Sequence, residues 1–212
     1  MLIGLTGHKG SGKDSAALQM KGFYRFAFGD AMKHEVAEAF GIDVKVLYDR
    51  ELKENPHIPL IRCKDPDFYD TAMNSLKPSV EEGPGWKFKR IGIDLLLHLS
   101  PRKIMQLWGT EYRRAQDNLY WIRKLHENRV YHEERGKFEA ITDVREHHEA
   151  SYVKRQGGIL IRVLRPNNPY DTGDTHGSEV NVNKLAVDFE IINDGTLEDL
   201  GAKIEAVIFG AI

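Results

Sequence analysis

The sequence predicts an α/β protein: a three-layer, mostly parallel sheet with helices on both faces. Three observations carry this. Short apolar runs read as buried strands, helical periods alternate with them along the chain, and the first apolar run passes straight into a glycine-rich turn that opens a helix.

The elements follow in order. Residues 2–6 (LIGLT) are apolar enough for a strand buried on both faces, as parallel sheets require. After the turn, residues 13–20 read as helical. A short strand is expected at 25–28 (RFAF), then a helix over 30–40 with Met32, Val36, Ala39 and Phe40 on one face. Residues 42–90 hold Pro56, Pro59, Pro66, Pro78 and Pro84 among many charges. They read as an irregular, partly helical insertion over the substrate side. Residues 101–128 predict two helices broken near Asp117. Strand 138–142 (FEAIT) and helix 146–155, ended by Gly157-Gly158, come next. Strand 159–164 (ILIRVL) leads into a lid-like loop over 166–180. Strand 187–192 (VDFEII), a turn at Asn193-Asp194-Gly195 and a helix from Thr196 to about Phe209 close the chain. Thr196 is the expected N-cap, with Asp199 where a capping box has Glu or Gln. No repeat or low-complexity tract interrupts the chain, so 1–212 reads as a single domain.

Composition narrows the function classes. Hydrophobic residues make up 41% and charged residues 29%, ordinary for a globular protein. The net charge of −2, from 30 basic and 32 acidic residues, argues against binding a nucleic-acid polymer, which calls for a basic excess. A small phosphorylated ligand needs only a few placed cations. No apolar run is long enough to span a membrane, and the N-terminal apolar stretch is too short for a signal peptide. One cysteine, Cys63, allows neither an internal disulfide nor a cysteine-based zinc site. A reducing, cytoplasmic location is expected.

The chemistry concentrates in two places. Gly7-His8-Lys9-Gly10-Ser11-Gly12-Lys13-Asp14 has the spacing G-x-x-x-x-G-K between strand and helix. Its glycines let backbone N–H groups turn inward as an anion-binding nest, and Lys13 can reach the β- and γ-phosphates of a nucleotide. The hydroxyl that usually follows the lysine is replaced by Asp14, with Ser15 next. Either Asp14 joins a magnesium shell, as an oxygen ligand can, or it caps the helix and Ser15 supplies the hydroxyl.

The second place is Asp143-Val144-Arg145 at the end of strand 138–142. In a parallel sheet it faces the same crevice as the phosphate loop. Asp143 could hold the magnesium shell or accept a proton, and Arg145 could neutralise a transferring phosphoryl group; a plain salt bridge is the structural alternative. Arg102 and Lys103 open the helix at 101, either as phosphate ligands or as a solvated basic turn. Trp121 either stacks on a base or belongs to the core. His147 and His148 point about 100° apart on a helix and do not share a metal easily. Asp171, Asp174 and Glu179 lack the EF-hand spacing.

Four ordered blocks then resemble the bacteriophage deoxynucleoside monophosphate kinases. They are GHKGSGKDS; IMQLWGTE with LYWIRKL; TDVREHHEA leading to GGILIRVLRP; and DTHGSE followed by IINDGTLEDL. The resemblance covers most of the chain but little of 42–90. It implies a P-loop NTPase fold of the nucleoside monophosphate kinase type, ATP and magnesium as phosphoryl donor, and a deoxynucleoside 5′-monophosphate as acceptor. Carried onto matching positions, Gly7, Lys9, Gly10, Ser11, Gly12, Lys13, Asp14 and Ser15 would bind ATP-Mg2+, with Asp14 and Ser15 nearest the metal. Arg102, Lys103, Trp121, Asp143, Arg145 and Glu149 look like acceptor-side and transfer residues. Arg165 and the following loop resemble a segment that closes over the donor. A homodimer is also implied. The rivals are a kinase of another small phosphorylated acceptor, such as phosphomevalonate or dephospho-coenzyme A, and a non-kinase P-loop switch or ATPase.

Overall fold

The computed structural model describes residues 1–55, 63, 65–80, 99–132, 138–169 and 181–210. The loop acids Asp171, Asp174 and Glu179, most of the lid-like loop and the end of the 42–90 insertion lie outside the described residues. The chain forms two compact units. One comprises Met1–Phe28 with Ile122–Ile212, the other Gly29–Trp121.

The first unit contains a five-stranded parallel sheet: β1 (Leu2–Thr6), β2 (Tyr24–Phe26), β3 (Glu139–Ile141), β4 (Ile159–Leu164) and β5 (Phe189–Ile192). Their order is β2-β3-β1-β4-β5, so the first strand of the chain is the middle one. Its register pairs Ile3 with Ala140 on one side and Ile159 on the other. A middle strand meets no solvent, which is why all five residues of LIGLT are buried.

Side chains along β1 alternate between the sheet faces. Ile3 and Leu5 join one apolar cluster with Ala16, Ala17, Ile161, Val163, Leu200 and Ile204. That cluster seats helix α1 (Lys13–Gln19) and the C-terminal helix, α8 (Leu197–Gly210). The opposite face carries α7 (His147–Arg155): a Cβ on Gly4 would meet Val153 at 3.1 Å and Val144 at 3.2 Å, so only glycine lets this helix lie so close. Helices cover both faces, and the three-layer α/β architecture forms as the sequence predicts.

Both helix boundaries set by local chemistry fall where expected. Thr196 N donates to Asp199 Oδ2 at 2.8 Å, and Asp199 N donates back to Thr196 Oγ1 at 3.2 Å. An aspartate therefore completes the capping box. After α7, Gly157 takes φ 71 and ends the helix. Asp194 sits in the turn before α8, where Lys203 Nζ reaches its Oδ1 at 2.6 Å and the carbonyl of Ile192 at 2.8 Å. The hydrogen bond from Lys203 holds the Asp194 carboxyl below the usual carboxylate range.

The second unit is helical. It holds most of α2 (Phe28–Phe40), then α3 (Val44–Tyr48), a 3-10 turn at Leu52–Glu54, α4 (Pro66–Val80) and α5 (Pro101–Gln106). α5 widens into a π-helical stretch, Leu107–Arg114, and α6 (Tyr120–Tyr131) begins after the expected break at Asp117. Phe40, Phe68, Trp108 and Tyr112 form its aromatic core, with Phe68 and Trp108 ring centroids 4.8 Å apart. The insertion expected to be irregular and partly helical contains a 15-residue helix, α4. Asp65 opens it: its Oδ1 accepts from the amides of Asp67 at 3.1 Å and Phe68 at 3.2 Å, with Pro66 in the first helical position.

Candidate phosphate-binding site

Parallel strands deliver their following segments to one edge of the sheet. Four matter here: 7–12 after β1, 142–146 after β3, 165–169 after β4 and 193–196 after β5. Backbone bonds extend the ladders into them. Val144 N donates to the carbonyl of Leu5 at 3.1 Å, and Asn193 N to that of Leu164 at 2.7 Å.

Gly7, Lys9, Gly10, Ser11 and Gly12 form the turn itself, pinned by Ser11 N donating to the carbonyl of His8 at 3.1 Å. Gly12 has φ 97, and a Cβ there would land on the side-chain nitrogen of Asn193. Both the left-handed backbone and the space demand glycine. Lys13 opens α1 and is only 6% exposed. An ammonium so covered needs anionic or acceptor groups around it, which suits a lysine working against phosphate. The hydroxyls of Thr6 and Ser11 are buried and have no hydrogen-bond partner among the described residues. A buried hydroxyl left so is costly, and a phosphate oxygen is a group that would satisfy it. The loop therefore fits a nucleotide polyphosphate.

The cap position of α1 belongs to Gly12, with no side-chain cap. Asp14 stands inside the first turn with an exposed side chain, and Ser15 is half-buried. Both are hard oxygen donors of the kind magnesium takes. Among the described residues, no group of three or more His, Cys, Asp or Glu could enclose a metal ion. Magnesium here would draw most of its ligands from phosphate and water, its usual habit at nucleotide sites.

Asp143 lies between β3 and α7, and its Oδ1 accepts from the amide of Phe28 at 2.7 Å. Glu149 is 7% exposed, and its Oε2 accepts from the amides of Arg145 at 2.8 Å and Glu146 at 3.0 Å. With Glu146 it forms the capping box of α7, so its carboxylate fixes the turn that carries Asp143 and Arg145. Arg165 reaches toward the carbonyl of Gly10 at 3.5 Å, and Asn168 Nδ2 donates to that of Lys9 at 2.6 Å. The structure thus gathers Lys13, Asp14, Ser15, Asp143, Arg145, Glu149 and Arg165 in the first unit.

Arg102, Lys103 and most of their surroundings belong to the second unit. Arg102 Nε pairs with Glu54 Oε1 at 3.1 Å, and Lys103 is exposed, its amide held by the cap Ser100 Oγ at 3.3 Å. Trp121 is 6% exposed, donates its indole N–H to the carbonyl of Gly109 at 3.0 Å and packs edge-on to Tyr120. Its ring is covered by protein, which is the core alternative of the sequence reading.

The sequence reading did not single out a polar-aromatic cluster in this unit. Glu35 accepts from Tyr120 Oη at 2.5 Å, Trp108 Nε1 at 3.0 Å and Arg113 Nε at 3.1 Å. Arg113 stacks over Trp108, Tyr112 and Tyr120. Tyr112 donates to both oxygens of Asp65, at 3.1 and 2.9 Å. Burial and then the Asp65 bond raise the Tyr112 hydroxyl above its ordinary range. Burial pulls Arg113 down, but Glu35, Tyr120 and Tyr112 together outweigh it and raise the guanidinium above its ordinary range. Its signals in the sequence were the four-residue spacing of Trp108 and Tyr112 and the blocks IMQLWGTE and LYWIRKL, which hold Trp108 and Tyr120.

Comparison with known proteins gives one family. The sequence profile described as "Deoxynucleotide monophosphate kinase" matches residues 87–204, more than half of the chain. A putative deoxynucleotide monophosphate kinase of Acanthamoeba polyphaga mimivirus is 28% identical over 100% of this chain and 97% of its own length. The deoxynucleotide monophosphate kinase of Escherichia phage RB69 is 31% identical over 51% of this chain and 45% of its own. Among solved structures, that of TT1252 from Thermus thermophilus aligns at 14% identity and a TM-score of 0.49, over 100% of this chain and 98% of that one.

Proposed function

The chain belongs to the deoxynucleotide monophosphate kinase family, and from that membership we propose that it transfers the γ-phosphate of ATP to a deoxynucleoside 5′-monophosphate. The observation that carries this reading is the loop after β1, with Lys13 covered and the Ser11 hydroxyl buried beside it.

An oxygen of the acceptor phosphate attacks the γ-phosphorus, the bond from that phosphorus to the β,γ-bridging oxygen breaks, and ADP and the deoxynucleoside diphosphate leave. A phosphate monoester is mostly dianionic near neutral pH, its second pKa being about 6. The nucleophile then needs no dedicated base. Positioning and charge supply the catalysis. Lys13 stabilises the charge that grows on the leaving β-phosphate, and Arg145 neutralises the equatorial oxygens of the group in transfer. Asp143, steadied by the Phe28 amide, would help hold magnesium through its hydration or take a proton from the attacking phosphate. When bound, magnesium neutralises phosphate oxygens, and Asp14 and Ser15 are the residues that would hold it. Glu149 acts by fixing the turn that bears Arg145, and Arg165 covers the donor.

On the acceptor side we assign Arg102 and Lys103 to the 5′-phosphate. Arg102 then exchanges Glu54 for the substrate. Trp121 serves that side by packing, since stacking on a base would require its ring to be uncovered.

A coupled assay of ADP release tests the reading. Magnesium-dependent turnover is expected with one or more of the four deoxynucleoside monophosphates. Turnover with phosphomevalonate or dephospho-coenzyme A and none with any deoxynucleotide would move the acceptor to another class. ATP hydrolysis without transfer would favour a switch or ATPase. Light scattering after size exclusion tests the implied homodimer.

A further inference from the structure

The phosphate loop is held from outside by two asparagines. Asn168 Nδ2 donates to the carbonyl of Lys9 at 2.6 Å, and Asn193 Nδ2 donates to that of Ser11 at 2.9 Å. They come from different segments, those following β4 and β5. In a planar trans peptide the C=O and the next N–H point in opposite directions. Drawing the Lys9 carbonyl outward therefore turns the Gly10 N–H inward, and drawing the Ser11 carbonyl outward turns the Gly12 N–H inward.

Asn193 stands on fixed backbone. Asn193 extends the β5 ladder through its own N–H to Leu164 O at 2.7 Å. The turn behind it is tied by Lys203 to Asp194 and by the reciprocal Thr196–Asp199 bonds. Asn167, just before Asn168, takes φ 52, a left-handed conformation that asparagine tolerates better than most residues. The Asn193 amide also fills the space that a side chain at position 12 would need. Loop and clamp are thus complementary at two separate points.

We propose that Asn193 and Asn168 are positioning residues for the phosphate loop: each holds one carbonyl outward so that the neighbouring amide faces the polyphosphate of the donor nucleotide. This rests on reading the loop as the nucleotide phosphate site. Neither asparagine needs to touch the base or the acceptor.

The test measures the affinity of the full chain for Mg-ADP and for Mg-tripolyphosphate by calorimetry, beside the melting temperature. Tripolyphosphate carries no base, so it reads the loop alone. Asn193→Ala and Asn168→Ala should each weaken both probes by the same factor, about five- to tenfold for one lost hydrogen bond that shapes the site. The Michaelis constant of the deoxynucleotide should stay within about twofold. Asn193→Asp keeps the side-chain shape but sets an acceptor against the Ser11 carbonyl, and should lose more than Asn193→Ala. Parental affinity for tripolyphosphate in all variants overturns the inference while leaving the phosphate site standing. So does a loss confined to ADP, which would mean contact with the base. If the parent binds neither probe, the phosphate-site reading falls and takes the inference with it. Should Asn193→Ala fail to fold, Asn168→Ala and Asn193→Asp decide the matter.

Discussion

Lys13 is the residue on which the donor side turns. Its charge works hardest when the β,γ bond is breaking, so its removal should cost turnover more than binding. Lys13→Ala is expected to lose about 100-fold or more in kcat, as when one preorganised electrostatic donor is removed. A variant retaining half the parental rate would dismiss the phosphate loop as the donor site. Asp14 is the unusual neighbour. Since Gly12, not Asp14, occupies the cap position of α1, Asp14→Ala should raise the magnesium needed for half-maximal rate and leave the melting curve nearly unchanged. An unaltered magnesium titration would remove Asp14 from the metal's surroundings. Trp121 is expected to behave by its burial. Trp121→Ala should cost about 3–5 kcal/mol of stability, and calorimetry checks it. A normal melting temperature with a ten- to hundredfold higher Michaelis constant for the deoxynucleotide alone would restore the stacking role.

Elements that end by local chemistry were legible in the sequence. Thr196 and Asp199 start α8, Gly157 stops α7, and Asp117 marks the break before α6, each because the deciding group lies within a turn of the boundary. Elements that end by distant contacts were not. The strand expected at 25–28 stops at Phe26 because the next-but-one amide, Phe28, is taken by Asp143, 115 residues away in sequence. α4 was hidden among prolines, although Asp65-Pro66 is itself a start signal. The π-helical stretch 107–114 has no period of its own to read. In the site, the loop and Asp143 could be found from motif and strand order, whereas the Asn193 clamp depends on β5 lying next to β4. The turn before α8 offers a measurement at this scale. The Asp194 carboxyl is held low by Lys203, so its contribution is full above the ordinary carboxylate pKa, about 4, and is lost as pH falls through the lower folded value. Lys203→Met should therefore melt below the parent near neutral pH, and the gap should close on acidification through that range. A gap that stays constant to pH 2 would show that the pair contributes nothing through charge.

At the scale of the whole molecule, a site assembled from four segments couples ligand binding to the sheet that bears them. Mg-ADP at a hundred times its dissociation constant should add about 2.7 kcal/mol to the unfolding free energy of what it binds. For a chain of this size that is roughly 5–10 °C in melting temperature. Lys13→Ala and Gly12→Ala should both lose most of that shift, the first by charge, the second by displacing Asn193. Scanning calorimetry with and without nucleotide reads it directly, and an equal shift in all three proteins would place nucleotide binding elsewhere. No helix among the described residues is long and apolar enough to cross a membrane.

The central place of β1 sets a timetable for synthesis. Its neighbours in the sheet begin at Glu139 and Ile159, so on the ribosome β1 waits for these partners until well over a hundred further residues have emerged. At about 5–20 residues per second that wait lasts roughly 7–30 s, far longer than local helices take to form. Throughout it the Leu2–Thr6 segment, which every finished molecule hides completely, is available to any other unpaired strand in the vicinity. Nascent chains arrested before residue 139 should accordingly be held by chaperones and cleaved readily around Leu2–Thr6. Chains extended through α8, which covers Ile3 and Leu5, should resist both.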